Sequence, residues 1–343
     1  MHGILIIAPN WIGDAVMTQP LLAHLKTQFP NSKIDVLASV WVAPIYRACT
    51  EVNEVITAQF EHKKLQWGLR KQLAKKIAGK KYQVCFVLPN SFKSALIPWL
   101  ASIPFRIGYR GELRFGLINL VLENPSKVNR PPMVEHYLAL SGLLQEDQPL
   151  IPQQQTPKLN VSSAAKESVE SKLSNLNIPT QSLYIFCPGA EYGPSKRWPK
   201  DHFAKLAQEL IQENSSNQII LLGGKGDQAI SQEIALQANQ TTRIHNWSGT
   251  TTLDEAIALI GMAKAVISND SGLMHIAAAL RTPQVAIFGS SDPAHTPPLS
   301  DKAKVIWLNL PCSPCHKKEC PLGHLRCLND ILPQQVLATL NTL

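Results

Sequence analysis

The sequence has no apolar run long enough to span a bilayer, because its longest apolar stretches are the length of single β-strands. Residues 1–7 run directly into such a stretch and carry neither the basic segment nor the small-residue cleavage site of a signal peptide. A repeat of fixed period is also missing. These absences exclude a membrane-spanning helix and a repeat architecture, and they predict a cytoplasmic protein.

Two common nucleotide-binding motifs are missing as well. A dinucleotide-binding fingerprint would put G-x-G-x-x-G after the first predicted strand, but residues 8–13 read Ala-Pro-Asn-Trp-Ile-Gly. The P-loop pattern G-x-x-x-x-G-K-[ST] does not occur in the sequence. The first absence disfavours an NAD-dependent dehydrogenase, and the second excludes a P-loop ATPase.

The length indicates two domains. A chain of 343 residues is too long for one typical core, so two domains of about 150 to 170 residues each are expected. A stretch rich in Gln and Pro at residues 145–157 resists regular structure and predicts a linker. We predict domains at residues 1–160 and 161–330, followed by a helix in residues 331–343 that can pack back on the first domain.

Strand-like apolar runs alternate with helical patterns in both halves. In the first half the predicted strands are residues 3–8, 33–39, 54–57 and 83–89, with helices beginning near Asp14, Val42, Glu61 and Ser91. In the second half the predicted strands are residues 183–188, 218–223, 243–247, 265–269, 284–288 and 304–308, and the helices 163–176, 200–213, 228–238, 253–262, 272–280 and 333–343. This alternation predicts βαβ units around a parallel sheet, and hence two Rossmann-like domains.

Basic residues outnumber acidic ones, 33 against 25. Such a surplus attracts phosphate-bearing partners: nucleic acid, anionic lipid or a phosphorylated substrate. Part of it lies in residues 61–81, where apolar side chains mark one helical face and cations lie elsewhere. The apolar set is Leu65, Leu69, Leu73 and Ile77, and the cations include Arg70, Lys71, Lys75 and Lys76. A docked helix with a solvated face and contact with an acidic membrane surface both fit this pattern.

Asp14 lies where the first predicted strand gives way to a helix, directly after Gly13. Loops of this kind sit at the carboxyl edge of a parallel sheet, where α/β proteins bind ligands. Asp14 is either an ordinary helix N-cap or a general base that acts on an acceptor hydroxyl. The surrounding Trp-Ile-Gly-Asp sequence favours the base.

A second loop, Asn-Asp-Ser-Gly-Leu-Met-His at residues 269–275, ends one predicted strand and opens a helix. The first N–H groups of a helix are unpaired and partly positive, so they bind phosphate, and Ser271 adds a hydroxyl donor. An ordinary capped junction is the alternative, and His275 taken alone would more often be a packed side chain than a ligand.

Two further loops in the second half carry charge. The Gly- and Pro-rich loop at residues 189–199 contains Lys196, which could neutralise the charge growing on a diphosphate leaving group. A surface loop with stray charge is the alternative. The loop at residues 223–227 could place Asp227 on a ribose hydroxyl, although this signal is weaker.

Four of the seven cysteines, Cys312, Cys315, Cys320 and Cys327, lie in one Pro-rich stretch with two histidines between them. In a cytosolic chain such a cluster favours metal binding over disulfides, but the spacing is not that of a standard zinc finger. Structural zinc, a redox-labile pair and unliganded thiols remain open. Zinc here would hold a loop, because no open catalytic position is implied.

Together these segments resemble the ADP-heptose:lipopolysaccharide heptosyltransferases, most closely the type II enzymes of inner-core assembly. The resemblance covers nearly the whole chain and is carried by residues 8–14, 88–95, 108–114, 187–191, 196–199 and 269–275. It implies a GT-B fold, with two Rossmann-like parallel-sheet domains facing each other across a cleft. The first would bind mainly the acceptor and the second the nucleotide sugar. It also implies an inverting transfer that needs no catalytic metal or other cofactor.

The resemblance implies roles for individual residues, with Asp14 as the base and Lys196 as the phosphate-binding cation. The residues expected to contact the donor are Glu191, Tyr192, Asp227, Thr251, Asp270, Ser271, Gly272 and His275. The residues expected to contact the acceptor are Asn90, Lys93, Arg106, Arg110 and Arg114. For these last cations, ordinary surface charge is the alternative.

The implied reaction moves L-glycero-D-manno-heptose from ADP-heptose to the first heptose of heptosyl-Kdo2-lipid A. A type I or III heptosyltransferase, or another nucleotide-sugar transferase, is the main alternative, and a UDP-sugar epimerase of this architecture is a weaker one. A nucleic-acid binder is disfavoured because the basic residues are not interleaved with stacking aromatics. We expect the protein to be peripheral on the anionic cytoplasmic face of the inner membrane.

Overall fold

The computed structural model describes residues 3–61, 64–126, 130–144, 156–239 and 242–343. The chain forms two compact units, Met1–Leu159 and Asn160–Leu343. Most of the predicted linker, residues 145–155, lies outside the described residues, and residues 156–157 have no regular structure.

The first unit contains one parallel sheet with helices between its strands. Its strands are β1 (Gly3–Ile7), β2 (Lys33–Ser39), β3 (Val52–Ala58), β4 (Val84–Val87), β5 (Phe105–Tyr109) and β6 (Leu120–Leu122). Its helices are α1 (Ile12–Met17), α2 (Gln19–Gln28), α3 (Ala43–Arg47), α4 (Trp67–Ala78), α5 (Phe92–Leu100) and α6 (Met133–Leu138), followed by a 3₁₀ helix at Ala139–Leu144. The strand order is β3-β2-β1-β4-β5-β6.

The second unit repeats this architecture. Its strands are β7 (Leu183–Cys187), β8 (Gln218–Leu221), β9 (Ile244–Asn246), β10 (Ala265–Asn269), β11 (Gln284–Ile287) and β12 (Ala303–Ile306). Its helices are α7 (Ser163–Asn175), α8 (Lys200–Glu213), α9 (Gln228–Ala238), α10 (Leu253–Met262), α11 (Gly272–Ala279), α12 (Arg326–Asn329) and α13 (Pro333–Leu340), with 3₁₀ turns at Thr180–Ser182, Pro194–Lys196 and Lys225–Asp227. The strand order is β12-β11-β10-β7-β8-β9.

These two sheets confirm the predicted class of two Rossmann-like α/β domains. The central strands β1, β4, β7 and β10 are buried along their whole length, as expected where helices cover both faces of a parallel sheet. Each strand order reverses once, between β1 and β4 and between β7 and β10. Ligands of open α/β sheets bind beyond the carboxyl ends of the strands at such a switch point.

Helix α4 differs from its prediction. It begins at Trp67 rather than near Glu61, so Leu65 precedes it and is exposed. Leu73 and Ile77 are buried as expected. Arg70 is also buried: its Nε and Nη1 donate to the carbonyls of Leu65 and Lys93, both at 2.7 Å. Arg70 therefore anchors the helix and is not part of a solvated basic face.

The sequence leaves open that the last helix, α13, packs on the first domain. The structure instead buries Val336 and Leu340 in the core of the second unit, where α13 packs against α8. Residues four apart share one helical face, so the apolar face of α13 is buried within the second unit. Among the described residues no helix combines the length and apolar composition that a bilayer span requires.

Candidate functional site

Asp14 lies at the switch point of the first unit, in the first turn of α1 beyond the end of β1. The N-cap of this helix is Trp11, so the interpretation of Asp14 as the N-cap is wrong. The hydroxyl of Tyr137, on α6, donates to Oδ1 of Asp14 at 3.1 Å. Burial and the Asp14 charge hold the pKa of Tyr137 well above its usual range, so Tyr137 keeps the proton it donates. The carboxylate is thus oriented at the edge of the sheet.

Two further tyrosines, Tyr46 and Tyr109, lie near Tyr137. The hydroxyl of the buried Tyr46 shares a 3.0 Å hydrogen bond with Thr18. Tyr109, at the end of β5, stacks on the ring of His136 at 3.8 Å and donates its hydroxyl to the His136 carbonyl at 2.6 Å. Sequence reasoning missed Tyr137 and its neighbours, because Tyr137 lies 123 residues from Asp14 in the chain.

Asn90 and Arg114 form a linked pair at the same edge of the sheet. Arg114 donates to Oδ1 of Asn90 at 3.1 Å, to the Pro89 carbonyl at 2.6 Å and to the Tyr109 carbonyl. Its side chain is buried. Burial lowers the pKa of the Arg114 guanidinium, and the nearby Glu112 partly offsets this effect. Arg114 therefore joins the loops after β4 and β5, which positions Asn90.

The other predicted acceptor cations have different environments. Arg106 donates to the carbonyls of Leu117 at 2.7 Å, Ile103 at 2.5 Å and Gly116 at 3.2 Å. The Arg106 guanidinium therefore binds backbone carbonyls of its own unit, and Arg106 is not a free surface cation. The exposed Arg110 forms a two-pronged ion pair with Glu123, with Nε at 2.7 and 2.9 Å from the two carboxylate oxygens. Lys93 is half-buried in the first turn of α5.

Three loops meet at the switch point of the second unit. Lys196, in the turn after β7, places Nζ 2.5 Å from Oδ2 of Asp270, which follows β10. The hydroxyl of Ser291, in the loop after β11, donates to the same oxygen at 2.5 Å. Asp270 is buried and Lys196 remains partly accessible. The ion pair fixes the position of the lysine ammonium, and Ser291 was not identified from the sequence.

Asn269 connects the loops that carry this ion pair. Its side chain is buried, donates to the Pro188 carbonyl at 2.7 Å and accepts from the Trp198 backbone N–H at 2.9 Å. The fully buried Trp198 donates its ring N–H to the Ile331 carbonyl at 2.9 Å. Asn269 thereby ties the end of β10 to both ends of the loop that contains Lys196.

The N-terminus of α11 faces this cluster. No side chain caps the helix, and the hydroxyl of Ser271, at the N-cap position, is buried without a hydrogen-bond partner in the described structure. His275 is buried in the same region, and burial lowers its pKa to about 4, with opposing effects from Asp270 and Lys196. His275 is therefore neutral at pH 7. An uncapped helix N-terminus beside a fixed ammonium suits a phosphate group.

The remaining predicted donor residues divide into two groups. The ammonium of Lys196 lies over the ring of Tyr192, with Nζ 5.2 Å from the ring centre. The neighbouring Glu191 is exposed. Thr251 is half-buried directly before the N-cap of α10. Asp227 differs, because its carboxylate accepts from the Gly224 N–H at 2.9 Å and packs against Gly189.

The space at Gly189 belongs to Asp227, since a Cβ there would lie 2.2 Å from Cγ of the aspartate. Asp227 therefore supports the loops after β7 and β8. A contact of Asp227 with a ribose hydroxyl stays a prediction.

Comparison with known proteins gives consistent matches along the chain. The family model described as "Glycosyltransferase family 9 (heptosyltransferase)" matches residues 70–326. The chain is 43% identical to lipopolysaccharide heptosyltransferase 2 of Escherichia coli K12, covering 99% of this chain and 98% of the relative. It is 39% identical to lipooligosaccharide heptosyltransferase 2 of Haemophilus influenzae, covering 99% of both.

The fold agrees with solved structures of these relatives. The structure of E. coli ADP-heptose lps heptosyltransferase II is 41% identical and matches with a TM-score of 0.85, covering 100% of this chain and 98% of the other. E. coli heptosyltransferase WaaC with ADP matches in fold, with a TM-score of 0.73 at 20% identity over 99% of both chains. The predicted GT-B class, with its two Rossmann-like domains, is confirmed.

Proposed function

The chain belongs to glycosyltransferase family 9, the heptosyltransferases, and we propose that it moves heptose from ADP-heptose to the first heptose of the lipopolysaccharide inner core. The observation that carries this proposal is the 43% identity, over 99% of the chain, to a lipopolysaccharide heptosyltransferase 2. The geometry supports it, because each sheet offers a suitable binding loop at its switch point.

In this proposal Asp14 is the general base. It takes the proton of an acceptor heptose hydroxyl as the oxygen attacks the anomeric carbon of the donor, and the bond from that carbon to the diphosphate breaks. One displacement inverts the configuration, so one carboxylate suffices and none is needed as a nucleophile. The hydrogen bond from Tyr137 to Oδ1 holds the carboxylate in one orientation.

The second unit would stabilise the departing ADP. Negative charge grows on the diphosphate as the bond breaks, and we assign its stabilisation to Lys196, the N–H groups at Gly272 and the Ser271 hydroxyl. Asp270 carries the same sign of charge as the diphosphate, so we assign it to the positioning of Lys196. The neutral His275 can hydrogen-bond a heptose hydroxyl without adding charge.

Among the predicted acceptor cations, we propose Lys93 and Arg110 as contacts for the acidic groups of the glycan. Arg106 and Arg114 have guanidinium groups engaged by carbonyls of their own unit, so they shape the loops instead. Asn90 is exposed, and its side chain is held by Arg114.

Peripheral membrane contact is part of the proposal. Large apolar side chains are exposed in the segments that follow β1, β2, β3, β4 and β5, all at the carboxyl edge of the first sheet. This apolar rim consists of Trp11, Trp41, Trp67, Phe92, Leu113 and Phe115. Aromatic rings favour the membrane–water interface, and Lys93 and Arg110 add charge that suits anionic lipid. A lipid-linked acceptor would then be met at its own membrane surface.

The test is a transfer assay with ADP-heptose and purified core acceptors that carry either no heptose or one heptose. We expect ADP release only with the one-heptose acceptor. Transfer to the acceptor without heptose would instead indicate type I activity, and transfer only to a longer core would indicate type III. If no lipid acceptor accepts heptose, the proposed function is wrong.

A further inference from the structure

The cysteine stretch at residues 312–327 follows β12 and surrounds a small cavity. Cys312, Cys315, Cys320 and Cys327 all line this cavity, which has a volume of about 20 Å³. A space of that size holds roughly one water molecule or ion. None of the four forms a disulfide. Four free thiols around one atom-sized space are not needed by the proposed transfer reaction.

The surroundings of the four sulfurs suit a bound cation. The sulfur of Cys320 receives hydrogen bonds from the backbone N–H groups of residues 322–325, and Cys327 is buried beside the same cavity. Thiolates are the form of cysteine that binds metal ions. A cation in the cavity would neutralise the repulsion between four thiolates that line one small space.

We propose that Cys312, Cys315, Cys320 and Cys327 bind one thiophilic divalent ion, Zn²⁺ or Fe²⁺, in a tetrahedral structural site. Four sulfur ligands favour these metals. In the described residues no three Cys, His, Asp or Glu side chains already stand in a geometry that could hold a metal ion, so binding must draw the sulfurs inward. Each coordinating thiol gives its proton to solvent, and no electron is transferred.

The segment between Cys315 and Cys320 holds the loop that carries Lys196. The Lys318 carbonyl accepts from the Ser195 N–H at 3.1 Å, and the His316 carbonyl accepts from the Tyr192 hydroxyl at 2.8 Å. A metal bound at both ends of this segment would fix these carbonyls. The ion is therefore a positioning element for the Lys196 turn. This second part rests on the proposed function, whereas metal binding itself does not.

The first test is the metal content of the purified full-length protein, with Cys315→Ser and Cys327→Ser as test variants. Cys49→Ser is the matched control, because Cys49 is buried in the first unit and its Sγ donates to the Ile45 carbonyl, a bond that serine can keep. We expect about one metal ion per chain in wild type and control, and a loss of most of it in both test variants. Elemental analysis separates zinc from iron.

Two results would overturn the metal site. One is wild-type protein that carries no metal and binds neither added Zn²⁺ nor Fe²⁺ under reducing conditions. The other is a mass lower by two hydrogens per cysteine pair, which would indicate disulfides. A chelator provides a check that does not depend on variant folding: it should expose four more reactive thiols in the wild type.

The positioning role has its own readout. Metal removal should raise the KM for ADP-heptose about tenfold while a lipid-acceptor KM stays within about twofold, since the hydrogen bonds from Ser195 and Tyr192 to this segment come from the loop that carries Lys196. An unchanged donor KM after complete metal removal would overturn the positioning role and leave the metal site in place. Absence of any transferase activity, with metal bound, would count against the proposed function alone.

Discussion

The two switch points share a topology but differ in how their side chains are used. In the second unit Asp270 and His275 are each only 5% exposed, and an ion pair and several hydrogen bonds fix the loops. In the first unit the corresponding edge exposes Leu113 at 81% and Phe115 at 76%. A rigid polar site suits a small charged donor, whereas an exposed apolar edge suits an acceptor carried by a membrane.

The contrast also separates two kinds of charge. Lys196 and Asp270 are largely shielded from solvent. The electrostatic attraction between them is therefore stronger than that of a surface ion pair. Arg110 and Glu123 are both mostly exposed, and such pairs contribute little to stability. The proposed donor site is therefore preorganised by buried charge, while the charges at the proposed acceptor edge remain available to exchange partners.

The largest expected effect follows from Asp14→Asn. Asparagine keeps the shape and can accept the Tyr137 hydrogen bond, but it cannot take a proton. We expect kcat to fall by about 10³-fold, within the range for loss of a general base, and donor binding to stay unchanged. Steady-state kinetics and ADP-heptose titration would measure the two quantities.

Asp201→Asn is the matched control for Asp14, because Asp201 also lies in the first turn of a helix, α8. Its kcat should equal that of the wild type. If Asp14→Asn turned over at a near wild-type rate, the base would have to be another group.

Loss of the lysine cation should have the next largest effect. Lys196→Met removes the charge that meets the leaving diphosphate, and we expect kcat to fall by about 10²-fold. The single variant also leaves Asp270 buried without its cation, which destabilises the fold. The double variant Lys196→Met, Asp270→Asn should regain thermal stability without regaining the rate.

Lys200→Met is the control for this pair, since Lys200 binds Glu233 on the surface of the same unit. It should leave both rate and stability unchanged. A double variant that recovered activity would show that Lys196 serves only to neutralise Asp270.

The sequence allowed the class of fold and the location of both loops to be predicted, because hydrophobic periodicity and loop motifs are local signals. It did not reveal β5 or β6. Strand β5 contains Arg106 and Gly108, which interrupt its apolar pattern, and β6 is a three-residue strand of partly exposed residues at the edge of the sheet.

The roles of individual cations were harder to predict. Whether an arginine meets a ligand or a backbone carbonyl depends on loops that close only in the folded chain, as Arg114 and Tyr109 illustrate. The same holds for Tyr137, which reaches Asp14 from a distant helix.

Acid should destabilise the folded protein through His275, which is buried in the second unit. Its pKa is about 4 in the folded protein, against 6.5 for an unperturbed histidine, so the unfolded chain binds more protons between these values. Stability that is present above pH 6.5 is therefore lost as the pH falls toward 4. Between pH 7 and pH 5 the loss should be about 2 kcal/mol, measured by urea unfolding.

His275→Asn should remove this part of the pH dependence. Glu255, whose pKa is lowered to about 2 because hydrogen bonds and Lys172 outweigh burial, adds a similar slope only at lower pH, so measurements should stay at pH 5 or above. If the free energy of unfolding changed with pH equally in wild type and variant, the pKa of His275 would be the same in the folded and unfolded chains, and the prediction would be wrong.

The smallest expected effect tests the exposed side of the comparison. Leu113→Ser combined with Phe115→Ser removes the two most exposed members of the apolar rim. Partial burial of such side chains in lipid contributes about 1.4 kcal/mol, so binding to anionic vesicles should weaken about tenfold. The KM for a lipid acceptor should rise while that for ADP-heptose stays constant.

The control is Leu176→Ser with Leu236→Ser, which removes two exposed leucines of the second unit. Equal weakening in both double variants would contradict a specific role for the first unit, because any exposed apolar side chain would then serve.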